Sequence, residues 1–194
     1  SLKQIQKAIL VLNEVLDKKG DETLTVTPIE LFESGAISRT SFFRNFNTID
    51  SIIVFAKAEI TEVFTVYFQR EALFMKLGLH DFFTSLLNTL YSHKEAVKLL
   101  IRRQSKKYWQ EMLLLIKPII ESNPRNSVDE LIYGLFVLVF VHTLEWWIEN
   151  GYSKEDIPVC ANRLILFLKI VDLNSRQNIF IVEKLRETIQ FILK

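Results

Sequence analysis

From Ser38 to Phe46 the chain reads Ser-Arg-Thr-Ser-Phe-Phe-Arg-Asn-Phe. Phe42 and Phe46 stand four apart, so a helix turns both toward one buried side. Arg39, Thr40, Ser41, Arg44 and Asn45 are left on the other sides. An arginine donates two parallel bonds to O6 and N7 of guanine. Serine and threonine hydroxyls suit phosphates or base edges, and the threonine methyl suits the methyl of thymine. The chemistry on offer is recognition of a DNA duplex, with Thr27 and Ser38 as further polar candidates at the starts of two short helices.

Other chemistries find no support. There is no phosphate-binding glycine loop, no Gly-x-Ser-x-Gly and no His-Glu-x-x-His, so the chain does not read as an enzyme. His80, His93 and His142 are scattered without carboxylate or cysteine partners at ligand spacing, so neither a metal nor a cofactor is expected. Cys160 is the single cysteine, which excludes a disulfide framework and fits a reducing compartment. The net charge of +1 excludes polyanion binding through bulk charge. Hydrophobic residues at 49% and charged residues at 24% are enough for a packed core.

The elements that position these residues are punctuated by caps. Ile5, Ala8, Ile9, Leu12, Val15 and Leu16 trace one helical face, and Lys18-Lys19-Gly20 closes it, so a first helix spans about 3–19. Thr27-Pro28-Ile29-Glu30 is a capping box with proline at the first helical position, opening a short helix that stops near Gly35. Ser38 caps a third helix to about Phe46, and Thr48 caps a fourth that continues toward Gly78. Ser92 with Glu95 and Ser127 with Glu130 read as two more capping boxes, with Asn123-Pro124 ending a helix between them. Pro118 should kink the segment around it, and Asn150-Gly151 should end the helix that Ser127 begins. A helix follows over about 154–172, its start delayed by Pro158, and Asn174 with Gln177 reads as the cap of a last one. No strand pattern competes, so the class is all-α.

Two short helices joined by about four residues, with a longer helix on each side, make a helix-turn-helix, whose second helix enters the major groove. The run from Gly35 to Ile53 resembles the signature of TetR-like transcriptional regulators, in which a Gly-Val-Ser turn leads into a recognition helix ending in an aromatic–basic–x–Phe block. Leu144-Glu145-Trp146-Trp147-Ile148-Glu149-Asn150-Gly151 is similar to a Trp-Trp-x-x-Asn-Gly stretch of many members' regulatory domains. The resemblance implies a DNA-binding head of three helices over 1–47 and a helical ligand-binding and dimerisation domain over 48–194. It implies a homodimeric regulator, a repressor by expectation, that binds a near-palindromic operator and answers to a small-molecule effector. It also places Phe43 at the DNA surface, where the family commonly carries a tyrosine whose hydroxyl touches phosphate. Ala36 and Ile49 depart from the family's usual glycine and basic residue.

Residues 1–50 hold six Lys/Arg against seven Asp/Glu, a weak balance for a DNA-binding head. The alternative is a TetR-like interaction or ligand-sensing module with weak or lost DNA binding. Lys94, Lys98, Arg102 and Lys106 make a cationic stripe that reads either as a solvated helix face or as a site for an acidic ligand. Trp109, Tyr133, His142 and Trp146 are candidates to line an effector cavity. The helix over 128–149 is apolar nearly all round, predicting burial on more than one side. With the helix near 157–171 it is the expected dimer interface. Its apolar run of about 13 residues is too short to span a bilayer, and the polar start Ser1-Leu2-Lys3-Gln4 shows no signal peptide. The expectation is a cytoplasmic protein with no membrane partner.

Overall fold

A computed structural model describes residues 2–20, 25–71, 78–103, 106–114 and 130–177. Among these residues the chain is all-α, with nine α-helices, one 3-10 turn and no strand. The helices are α1 (Leu2–Lys19), α2 (Pro28–Glu33), α3 (Arg39–Asn45), α4 (Ile49–Glu71), α5 (Leu79–Ser92), α6 (Lys94–Arg103), α7 (Lys106–Leu113), α8 (Glu130–Glu149) and α9 (Ile157–Gln177). No helix among the described residues is long and apolar enough to cross a membrane.

The chain divides into two compact units. The first takes residues 1–67 and 88–105, and the second takes 68–87 and 106–194. The head segment 1–47 therefore lies inside a larger unit that includes most of α4 and all of α6.

In the first unit, Ala8, Ile9, Leu12, Val15 and Leu16 of α1 are buried with Leu31, Phe42, Phe46, Ile52, Ala56 and Ile60. Helix α6 lies along α1 and is fastened by polar groups. Asn13 donates through Nδ2 to the backbone carbonyl of Glu95 and to its Oε2, both at 2.9 Å. One turn further on, Asp17 accepts from Lys98 Nζ at 2.7 Å and from Arg102 Nη2 at 2.5 Å. Part of the cationic stripe is thus a clamp on α1. Burial raises the Asp17 carboxyl, but the bonds from Lys98 and Arg102 outweigh it and hold the group below its ordinary value. The corner between α5 and α6 is tied to α4 by His93 Nδ1 and Glu59 Oε1 at 2.6 Å.

The capping box expected at Ser92 is absent. The Ser92 hydroxyl donates back to the carbonyl of Asn88 at 3.2 Å, because Ser92 still belongs to α5. Glu95 is drawn to Asn13 across the α1–α6 contact instead.

In the second unit an aromatic core carries the packing. Phe83 and Phe136 have ring centroids 6.0 Å apart, Phe136 and Phe140 6.2 Å, and Trp109 and Phe140 6.3 Å. The fully buried residues of α8 include Phe136, Val137, Phe140, Leu144 and Trp147, a single stripe at helical spacing. Leu138 is exposed, so within one chain the helix is buried on one side rather than several. It ends as expected at Gly151, whose φ of 88° is accessible to glycine without strain. Ser153 then caps the 3-10 turn over Lys154–Asp156, which runs into α9 with Pro158 in its first turn.

Helix α9 continues unbroken through Asn174 to Gln177, so no new helix begins at Asn174. No proline or glycine interrupts that stretch. An asparagine caps a helix only where the backbone has already left the helical region. Pro118, Asn123-Pro124, the Ser127 cap, and any continuation of α4 toward Gly78 or of α9 past Gln177 lie outside the described residues.

Candidate functional site

The short helices of the head are built by local polar chemistry. At the start of α2 the capping box is closed. The Thr27 amide donates to Glu30 Oε2 at 2.7 Å, and its hydroxyl donates to the same oxygen at 3.0 Å. Lys19, at the end of α1, forms an ion pair with the other Glu30 oxygen and donates to the carbonyl of Thr25 at 2.8 Å. These bonds, with Lys19 foremost, hold the Glu30 carboxyl down at about 2. Gly35 turns the chain between α2 and α3 with φ 68°, a left-handed value that favours glycine. Ser38 Oγ then accepts from the Ser41 amide at 3.1 Å and caps α3.

Helix α3 seats itself with phenylalanines. Phe42 is fully buried and Phe46 nearly so, with rings 5.6 Å apart. Phe32 of α2 meets Phe42 edge-on at 5.5 Å and Phe43 at 6.1 Å. The Arg39 guanidinium stands 5.9 Å over the same Phe32 ring. Ser41 donates to Gln4 Oε1 at 3.1 Å, joining α3 to α1. Asn45 Nδ2 donates to the Ser41 carbonyl at 2.7 Å.

The eight head candidates therefore divide. Thr27, Ser38, Ser41 and Asn45 are engaged in holding α2 and α3 in place. Arg39, Thr40, Phe43 and Arg44 are exposed. At i, i+3 and i+4 spacing those four form one contiguous stripe along α3. Phe43, at 53% exposure, is an apolar residue set among polar ones. Gln4, Lys19 and Phe32 support this surface; the sequence marks Lys19 only as a cation closing α1, and Gln4 and Phe32 carry no motif. Gln4 and Lys19 lie on α1 and Phe32 on α2. Taken as a unit, residues 1–67 and 88–105 carry eleven Lys/Arg against ten Asp/Glu, because α6 adds cations to the head.

The effector candidates also divide. Trp109 and Tyr133 are both buried, and the Tyr133 hydroxyl donates to the Gln110 carbonyl at 2.8 Å. Burial pushes the Tyr133 phenol up to about 12. The Trp109 indole N–H is buried and has no hydrogen-bond partner among the described residues. His142 does not join them: its side chain is 80% exposed, 3.5 Å from Glu145. Trp146 is half-buried, with the Arg163 guanidinium 3.8 Å from its ring centroid. Among the described residues no cluster of three or more His, Cys, Asp or Glu side chains is placed to hold a metal ion.

No protein family, curated protein or solved structure matches this chain.

Proposed function

We propose that the chain is a homodimeric, TetR-like DNA-binding transcriptional regulator, a repressor that acts in the cytoplasm on a near-palindromic operator. The observation that carries the reading is the exposed stripe Arg39–Thr40–Phe43–Arg44 on a seven-residue helix braced by α1 and α2. Two guanidiniums on such a stripe match guanine edges or phosphates in a major groove. Engagement of the neighbouring hydroxyls and amide within the head pre-organises that surface, which lowers the ordering cost of binding.

Support for a dimer comes from the second unit. Leu138 of α8 and Val159, Leu166 and Ile170 of α9 are large apolar side chains left 36–59% exposed. Pairing α8 and α9 with the same helices of a second copy would cover them. An effector would enter the aromatic core beside Trp109, whose N–H, without a partner among the described residues, would donate to an acceptor on the ligand. Its binding would shift a two-state equilibrium in the spacing of the two heads, about 34–36 Å for successive major grooves.

The test is a gel-shift series with genomic fragments at low salt, followed by Arg39→Ala and Arg44→Ala. Specific retardation should appear, fall steeply with added salt, and weaken by about tenfold to a hundredfold with each variant. Absence of specific retardation at every salt concentration overturns the reading.

A further inference from the structure

We propose that Phe43 reads the 5-methyl group of a thymine in each operator half-site. The inference rests on the DNA-binding reading above and adds the base class to it.

A phenylalanine 53% exposed in the middle of a polar stripe holds apolar surface in water, and burial against a ligand removes that penalty. The ring is not free to fold away. It meets Phe42 edge-on at 5.2 Å and Phe32 at 6.1 Å, so its orientation is held from beneath by two rings. Arg39 stands over that same Phe32, which makes one ring the platform for an apolar and a cationic contact side by side. Arg44 follows Phe43 directly, and Thr40 is one turn before it.

The occupant must therefore present an apolar group flanked by hydrogen-bond acceptors and negative charge. In the major groove, thymine alone among the four bases offers a methyl, and guanine acceptors and phosphates lie within reach around it. Phe43 has no hydroxyl, so it gives phosphate no hydrogen bond. What it contributes is contact area, and that favours the methyl over any polar base edge.

The measurement starts from the chain without substitution. Duplexes are recovered from a random-sequence library, and each thymine of the recovered site is replaced singly by deoxyuridine, which differs only in lacking the methyl. One position per half-site should weaken binding by about fourfold, the factor that burial of one methyl corresponds to. Replacement in both half-sites should give about fifteenfold, and Phe43→Ala should bind thymine and deoxyuridine duplexes equally. Duplex binding that ignores every deoxyuridine overturns the inference while the DNA-binding reading stands. Discrimination that survives in Phe43→Ala does the same, and failure to recover any duplex overturns both. Should Phe43→Ala unfold, Phe43→Leu takes its place, with discrimination reduced but present.

Discussion

The short polar side chains at α3 have two competing uses, and bracing the head prevails for three of the four. Ser38 caps, Ser41 bonds to Gln4, and Asn45 bonds back one turn. The exposed Ser38 cap is worth about 1 kcal/mol, and the part-buried bonds of Ser41 and Asn45 about 0.5–1.5 kcal/mol each. The long side chains of Arg39 and Arg44 are exposed, with the Arg39 guanidinium over the Phe32 ring. The same contrast of context governs Cys160. Burial on α9, chiefly by desolvation, pushes its thiol up to about 11. The thiolate, which is the reactive form, is therefore scarce at neutral pH. Cys160 should react with Ellman's reagent at pH 8 only after addition of denaturant, with one equivalent released. Rapid release from the folded chain would show the thiol to be accessible.

At the scale of the element, α6 is fastened to α1 by side-chain bonds. It contributes Glu95, Lys98 and Arg102 to α1 and adds to the unit's positive charge. Asp17 receives both cations, and its folded-state pKa lies below its unfolded one. Its contribution to stability is therefore fully present above the unfolded carboxylate range near 4, and it disappears as pH falls through the lower folded value. Asp17 is 42% exposed, so solvent screening limits its part to about 0.5–1 kcal/mol. Asp17→Asn should lower the urea midpoint at pH 7 and lower it less at acid pH, where the carboxylate becomes protonated. An equal loss at both pH values would mean that the side chain acts through packing alone. Glu30, held at about 2 by Lys19 and Thr27, obeys the same sign, so the link between α1 and α2 should loosen at acid pH as well.

At the scale of the molecule, the proposed dimer places the outward face of α9 at the contact between two chains. Leu166 is 59% exposed and Ile170 46%. Leu166→Glu leaves the core residues Leu164 and Ile165 untouched and sets a charge on the proposed contact. In sedimentation experiments the native chain should run as a dimer and Leu166→Glu as a monomer, with an unchanged helical CD spectrum. Specific DNA affinity should then drop by about a hundredfold or more, because two heads joined in one particle bind far more tightly than two separate ones. A native chain that stays monomeric at micromolar concentration would remove the dimer from the proposal.

Much of this architecture was legible in the residues themselves. Thr27-Pro28-Ile29-Glu30, Ser38, Gly35 and Asn150-Gly151 mark helix ends through short-range bonds and backbone sterics, which involve neighbours within a few positions. The 3.6-residue periodicity named the buried faces of α1 and α3 for the same reason. Other matters depended on residues far apart in the chain. Glu95 sits 82 positions from Asn13 and engages it across a helix contact, so the cap read at Ser92 gave way to tertiary bonding. Asp17 converts two members of a cationic stripe into a clamp. Which polar groups of α3 point outward, and which brace the head, depended on Gln4 and Phe32. Local order follows from the chain's own covalent neighbourhood. The use to which a side chain is put is decided only when folding brings its partners to within about 3 Å.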